Sequence, residues 1–221
     1  LEHRFHRGGR VIGRGDPCVE HFARATLCEI IDVASRADLK SDLLKELDRH
    51  RTQLEGYRGN PHIAESVLDD VIGRIDRAFG GLNELSGKAG HSLTANEWLM
   101  SIRSRISIPG GTREFDLPAY YAWQQHPADA RRIDLERWTA CVMPLAEALT
   151  VLLGLLRESG TPQRVVAPSG QYQQSLPQGK SYHLLRVRLD AATDLGPEIS
   201  GHRPMVSVRL MRAAADRRLR P

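Results

Sequence analysis

Arginines that alternate with aliphatic residues near the C-terminus are the pattern in this sequence best suited to binding a ligand. Arg186, Arg188 and Arg209 each lie between two aliphatic neighbours. A guanidinium group offers a planar fork of donors that fits carboxylates and phosphates. If both segments are paired strands, the three arginines share one face of a sheet. Like charges on one face oppose folding slightly, so the pattern favours a binding role, with a merely solvated face as the alternative.

Positive charge is concentrated in the last quarter of the chain. Residues 161–221 contain ten lysines and arginines and four acidic residues. The whole chain has a net charge of +4, so residues 161–221 carry +6 and the first 160 residues carry −2. This asymmetry indicates an anionic partner for the C-terminal end, or a surface that promotes solubility.

The remaining motifs that could support catalysis or metal binding are incomplete. The Gly-Lys pairs at 87–88 and 179–180 both lack the first glycine of a phosphate-binding loop. Cys18 and His21, with Cys28, lack a nearby fourth zinc ligand, and Cys28 falls on an apolar helical stripe. We therefore predict no enzymatic activity, no cofactor and no metal site. An enzyme with an unfamiliar site is a lesser alternative.

Hydrophobic periodicity predicts a mainly helical region up to about residue 160. The predicted helices cover residues 17–36, 38–54, 62–79 and 94–106, restart near 116, and continue over 128–142 and 145–157 with a break at Pro144.

Local signals predict the ends and inward faces of some of these helices. Thr94 and Glu97 have the spacing of a capping box, and Asp116 is placed to cap the helix that follows it. Residues at strict i, i+4 spacing predict the inward face of the third helix, and Gly80-Gly81 predict a loop after it. That inward face comprises Ile63, Val67, Val71, Ile75 and Phe79.

After Gly160 the hydrophobic period changes from 3.6 to 2. Residues 182–190 and 204–212 each alternate aliphatic and polar side chains, which predicts two strands with one buried face each. The predicted fold class is therefore α+β, with a mainly helical domain at 1–160 and a smaller antiparallel β-domain with a basic face at 161–221.

Composition predicts a soluble cytoplasmic protein that does not enter a membrane. The three cysteines fit no disulfide framework, which favours a reducing compartment. No segment resembles a signal peptide, and the most apolar run, 145–156, is too short to span a bilayer. The chain begins with Leu1 inside a helix-like pattern, so we expect N-terminal residues to be missing.

Four short motifs occur in an order that resembles the ZapD family of bacterial cell-division proteins. The similarity extends from Leu1 to Arg212. Relative to the family, we expect this chain to lack an N-terminal segment. The motifs are LLKELDR at 43–49, SIPGG at 107–111, FDLP at 115–118 and ISGH at 199–202.

The resemblance implies a non-enzymatic homodimer that acts in the cytoplasm at the midcell division site. The implied partner is the tubulin-like protein FtsZ, bound through its short C-terminal tail. A dimer with two tail sites can bridge FtsZ protofilaments into bundles and stabilise the Z ring, since two weak contacts on one body become avid against a repeating polymer.

The resemblance also implies a positively charged tail pocket between the two domains. Tyr121 stands where the family often has His, and Met205 stands where a second arginine can occur, so the pocket has less positive charge here. Arg186 and Arg188 become possible bystanders, and Arg103 and Arg105 have an alternative reading as solvated helix charges. The candidate tail-binding residues are Arg209, His202, Arg203, Tyr121, Arg103 and Arg105.

A single-stranded nucleic-acid-binding protein is the alternative function. Tyr172 and Tyr182 lie in sequence near the basic β-face and could stack on bases. The aromatic signatures of the common RNA-binding sheet are absent, and the helical part is slightly acidic. We therefore expect no nucleic-acid partner.

Overall fold

Helices dominate the computed structural model of the chain, and a small sheet follows them. The structure describes residues 2, 3, 5, 17–34, 38–106, 108, 111, 113–177, 179, 182–202 and 205–212, with backbone alone at 17–25 and 202. The chain divides into two compact units, Leu1–Leu153 and Gly154–Pro221, which we call the helical unit and the β-unit.

The described residues form eight helices and three strands, which confirms the α+β prediction. Two short 3-10 turns, Pro168–Gly170 and Ala191–Thr193, precede β1 and β2. The elements are α1 (Pro17–Ala34), α2 (Leu39–Glu55), α3 (Glu65–Glu84), α4 (His91–Thr94), α5 (Glu97–Arg105), α6 (Pro118–Gln124), α7 (Ala128–Ala140), α8 (Met143–Glu158), β1 (Gln171–Ser175), β2 (Leu195–His202) and β3 (Met205–Arg212).

The core of the helical unit combines aliphatic side chains with all three tryptophans. On α1, Leu27, Ile30 and Ile31 recur at helical spacing and are buried. They pack in one cluster with Trp123 and Trp138, and Trp98 lies against that cluster. Burial of such large side chains stabilises the fold by about 1.5–3 kcal/mol each.

The break predicted at Pro144 is confirmed. α7 ends at Ala140, α8 begins at Met143, and the two helices are bent by 56°. Proline has no N–H to donate, so it fits the first turn of α8 but would interrupt a continuous helix. No single helix in the described part of the chain is long and apolar enough to cross a membrane, and only the bent α7–α8 pair reaches that length and composition together.

The inward face predicted for α3 was largely wrong. Ile75 is buried as predicted, whereas Val67 is 59% exposed. A strict i, i+4 series rotates by about 40° at each step, so it spirals away from the core. The helix also continues through Gly80-Gly81, where a loop was predicted. The residues that α3 buries are separated by a mixture of steps of four and three: Leu68, Ile72, Ile75, Ala78 and Leu82.

Two predicted helix caps were also wrong. The N-cap of α5 is Asn96, whose Oδ1 accepts a hydrogen bond from the Leu99 N–H at 3.1 Å. Thr94 instead donates its hydroxyl to the His91 carbonyl at 2.8 Å, within α4. Asp116 does not cap α6, because Leu117 occupies the N-cap position and Pro118 begins the helix.

β3 is the central strand of the three-stranded sheet, and both its neighbours are antiparallel. The predicted strand at 204–212 is confirmed as β3. The predicted strand at 182–190 was wrong, since those residues have no regular structure. β1 and β2 already occupy both hydrogen-bonding edges of β3, and Pro197 is accommodated in β2 because β2 is an edge strand.

Apolar burial in the β-unit is slight compared with the helical unit. Val208 is the one buried hydrophobic residue among the described residues of the β-unit. Large apolar side chains remain exposed, including Val166 at 82% and Ile199 at 48%. Ile199 is the register partner of the buried Val208, so this face of the sheet is covered only in part.

The cap of α5 gives a direct stability test. Asn96→Ala should lower the free energy of unfolding by about 1 kcal/mol, because the Leu99 N–H loses its acceptor. Thr94→Ala is the matched control and should cost less, since the His91 carbonyl keeps the hydrogen bond from the Ala95 N–H. Urea unfolding followed by circular dichroism measures both, and an equal or larger loss for Thr94→Ala would contradict the assignment.

Candidate functional site

Arg209 lies on the exposed face of the central strand. Its register partners are Gln171 on β1 and Glu198 on β2. The side chain is exposed, and its guanidinium has no hydrogen-bonding or ionic partner among the described residues. Arg209 is therefore a free cation held at a rigid position, with one carboxylate on the neighbouring strand.

His202 ends β2 opposite Met205 in the register. Because Met205 and Arg209 are an even number of residues apart on β3, His202 occupies the same sheet face as Arg209. The third candidate of this group, Arg203, lies outside the described residues. The sheet thus brings two of the predicted tail-binding positions, 202 and 209, to one face.

Arg186 and Arg188 do not share that face. Both lie in the irregular segment before Asp190, where they are exposed. The prediction that they and Arg209 form one basic sheet surface was wrong, because the period-2 pattern of that segment is not matched by a free strand edge.

Arg103 and Arg105, on α5, both form ion pairs. Arg103 pairs with Asp32 of α1. The Nη1 of Arg105 lies 3.2 Å from Oδ1 of Asp116. Exposed pairs of this kind contribute little stability, about 0–1 kcal/mol. They do, however, give both arginines an intramolecular carboxylate, so neither is a free cation as Arg209 is.

Tyr121 lies on the solvent-facing side of α6 and is 44% exposed. The opposite side of the helix buries Tyr120 and Trp123. Trp123 donates its indole N–H to Asp134 of α7 at 2.8 Å. The buried Arg131 donates to the Gln124 carbonyl at 3.0 Å and so satisfies the C-terminal end of α6.

The connection between α5 and α6 folds back onto the end of α5. The Ile108 N–H donates to the Arg105 carbonyl, and the buried Gly111 donates its N–H to the Ile108 carbonyl at 2.9 Å. A Cβ at Gly111 would lie 2.7 Å from the Arg105 carbonyl oxygen and 2.9 Å from Cβ of Ile108. Only glycine fits this approach without displacement of the backbone.

The second half of that connection is a compact turn that exposes an aromatic ring. The Arg113 carbonyl accepts hydrogen bonds from the N–H groups of Asp116 and Leu117, both at 3.0 Å. Phe115, within this turn, is 75% exposed. The sequence predicted a helix start at Phe115 and Asp116 and included both in a family motif, but it did not indicate that Asp116 would pair with Arg105.

The cysteine and metal-ligand candidates from the sequence can be compared with the described part of the chain. Cys28 is buried in the core, as predicted. Among the described residues, no group of three or more His, Cys, Asp or Glu side chains is placed to hold a metal ion. At the α2–α3 connection, a hydrogen bond and the charge of Asp69 raise the pKa of Arg58.

Comparison with known proteins gives matches over the whole chain. A family model described as "ZapD: Cell division protein" matches residues 1–209. The cell division protein ZapD of Ralstonia pickettii is 50% identical over 222 residues, which cover 100% of this chain and 88% of that protein. ZapD of Ralstonia nicotianae is also 50% identical over the same shares. ZapD of Cupriavidus pinatubonensis is 49% identical and is covered to 87%.

The close approach at Gly111 can be tested against a glycine with open space. Gly111→Ala should lower the free energy of unfolding by about 1–3 kcal/mol, because the new methyl group overlaps backbone atoms. Gly80→Ala should instead raise it by up to about 1 kcal/mol, since a Cβ at that helical position meets nothing within 4 Å. Urea midpoints that move in the same direction for both variants would refute this account.

Proposed function

Because this chain belongs to the ZapD family of cell division proteins, we propose that it binds the C-terminal tail of FtsZ and cross-links FtsZ protofilaments. The bundles so formed stabilise the Z ring, in the cytoplasm at midcell. The full-length match at 50% identity is the observation that carries the proposal. In this role the protein works by binding alone and has no catalytic step.

The tail contact in the β-unit is centred on Arg209. Its guanidinium is exposed and free of intramolecular partners among the described residues. A tail carboxylate can accept two parallel hydrogen bonds from such a group. His202, on the same sheet face, and Arg203 are the further candidates in this unit. Tyr121, Arg103 and Arg105 are the candidates in the helical unit, where Tyr121 can donate a hydrogen bond through its hydroxyl.

The basic sheet face is poorly suited to nucleic acid. Tyr172 is opposite Val208 in the register, so it belongs to the other face from Arg209. The register partners of Arg209 are Gln171 and Glu198 rather than aromatic rings that could stack on bases. The geometry therefore favours a peptide carboxylate over a base as the ligand of Arg209.

Dimerisation supplies the second tail site that bundling requires. The sheet face opposite Arg209 carries Val208 and its register partner Ile199, and Ile199 is 48% exposed. Val208 is buried, and Ile199 beside it leaves apolar surface in water, which can mark an interface. We assign this face to a second copy of the chain, which leaves the Arg209 face of each copy available to a tail.

A charge reversal on β3 tests the tail contact. Arg209→Glu should abolish co-sedimentation with FtsZ polymers, because a carboxylate would replace the donor fork. Arg186→Glu makes the same charge change at an exposed position of the β-unit that lies outside the sheet and outside the candidate residues. That control should still co-sediment. Bundling by Arg209→Glu at the wild-type level, with unchanged circular dichroism, would refute the proposal.

A charge on the apolar face tests the dimer. Ile199→Glu should shift the protein from dimer to monomer in sedimentation equilibrium, since a buried unpaired carboxylate is strongly unfavourable at an interface. The monomer should bind tail peptide yet fail to bundle polymers. Gln173→Glu, on the Arg209 face, is the matched control and should remain dimeric. An Ile199→Glu variant that stays dimeric would place the interface elsewhere.

A further inference from the structure

We infer that Arg105 and Asp116 are a positioning pair that holds Phe115 as an apolar contact for the bound tail. The inference rests on the proposed function, because the peptide concerned is the FtsZ tail. It assigns Phe115 a binding role, and it changes the role of Arg105 from a direct ligand of a tail carboxylate to a support for the α5–α6 connection.

Arg105 already has an acidic partner within its own chain. Its Nη1 lies 3.2 Å from Oδ1 of Asp116, whose side chain is 29% exposed. A carboxylate on the same chain competes with an incoming one at an effective concentration in the millimolar range. A tail carboxylate would have to displace Asp116 at Arg105, whereas Arg209 has no ion pair among the described residues, although Glu198 is its register partner. Arg209 is therefore the better site for the charge of the tail.

The Arg105–Asp116 pair helps to hold the connection that carries Phe115 against the end of α5. The connection is fastened to the end of α5 at two points, by Gly111 against the Arg105 backbone and by Asp116 against the Arg105 side chain. Phe115 immediately precedes Asp116, and the turn around it is closed by two hydrogen bonds to the Arg113 carbonyl. The ring is thus exposed from a fixed turn rather than from a loose chain.

The exposed ring of Phe115 can contact an apolar side chain of a ligand. Phe115 is 75% exposed, which leaves most of its apolar surface in water. Aromatic side chains dominate the binding energy of peptide interfaces when their surroundings are already ordered. Tyr121, a candidate tail contact, is also exposed, on the helix that begins directly after this turn. An apolar side chain of the tail is the ligand that suits an exposed ring at this position.

Fluorescence anisotropy with a labelled FtsZ tail peptide tests the inference in the full chain. Phe115→Ala should weaken binding about tenfold or more. Ile133→Ala is the matched control, because Ile133 is 63% exposed on α7, and it should bind like the wild type. Arg105→Ala and Asp116→Ala should weaken binding to similar extents. The exchanged pair, Arg105→Asp with Asp116→Arg, should recover at least part of the loss.

The outcomes separate the inference from the proposed function. If the wild type does not bind the peptide, the proposed function fails and the inference fails with it. If the wild type binds but Phe115→Ala binds equally well, only the inference is overturned. Loss of binding in Arg105→Ala with normal or tighter binding in Asp116→Ala would make Arg105 a direct ligand and would also overturn it.

Salt dependence provides a readout that a direct contact and a positioning role affect differently. Removal of a positioning pair should leave the slope of affinity against salt concentration close to that of the wild type. Removal of a directly bound arginine should reduce the slope, because one ionic contact to the peptide is lost. A reduced slope in Arg105→Ala would therefore count against the inference, and circular dichroism with urea midpoints identifies any variant that loses binding through unfolding.

Discussion

The packing of three tryptophan rings fixes the part of the helical unit that carries candidate binding residues. The Trp98 and Trp138 centroids are 5.2 Å apart, and Trp123 lies within 6 Å of both. These rings come from α5, α6 and α7, so the contact joins three short helices whose backbone bonds alone would not make them stable. The helix that begins at Pro118 has only seven residues. Its position, and that of Tyr121 on its outer side, depends on this cluster and on the bonds from Arg131 and Trp123.

The β-unit, in contrast to the helical unit, has little hydrophobic interior of its own. A three-stranded sheet with one buried hydrophobic residue among those described gains little from burial. Backbone pairing still fixes the register, and the register decides which side chains share a face. A site that recognises charge benefits from this arrangement, since Arg209 is held by strands on both sides yet remains in water. In the proposed dimer, the face that carries Ile199 would be covered by the second copy.

Much of the helical architecture could be predicted from the sequence, and the exceptions have clear physical reasons. The periodic spacing of hydrophobic residues identified the helices. The missing N–H of Pro144 identified the break between α7 and α8. The inward face of α3 could not be read from i, i+4 spacing alone, because helical rotation accumulates along such a series. The competition between Thr94 and Asn96 for the cap of α5 is decided by where the backbone leaves the helix, which residue types do not report.

The sheet and the binding residues were harder to predict because they depend on pairing across the chain. The alternation of aliphatic and polar residues identified β3 correctly, but it also predicted a strand at 182–190. Such alternation does not reveal whether a neighbouring strand has a free edge with which the segment could pair. The family resemblance named the candidate residues, yet it could not show that Arg105 already has a carboxylate partner. Pairings between residues eleven positions apart, as between Arg105 and Asp116, arise only from the folded path of the chain.

The alternation of β3 has a further consequence for how this protein can vary. Under the proposed function, odd and even positions of this eight-residue strand serve two different tasks, recognition on one face and self-association on the other. A single-residue insertion or deletion within the strand would exchange the two faces, so that the arginine would enter the apolar contact and Val208 would meet solvent. Point substitutions on one face leave the other intact, whereas a change of length alters both at once. Over evolutionary time the length of this strand should therefore be far more constrained than the identity of most of its residues.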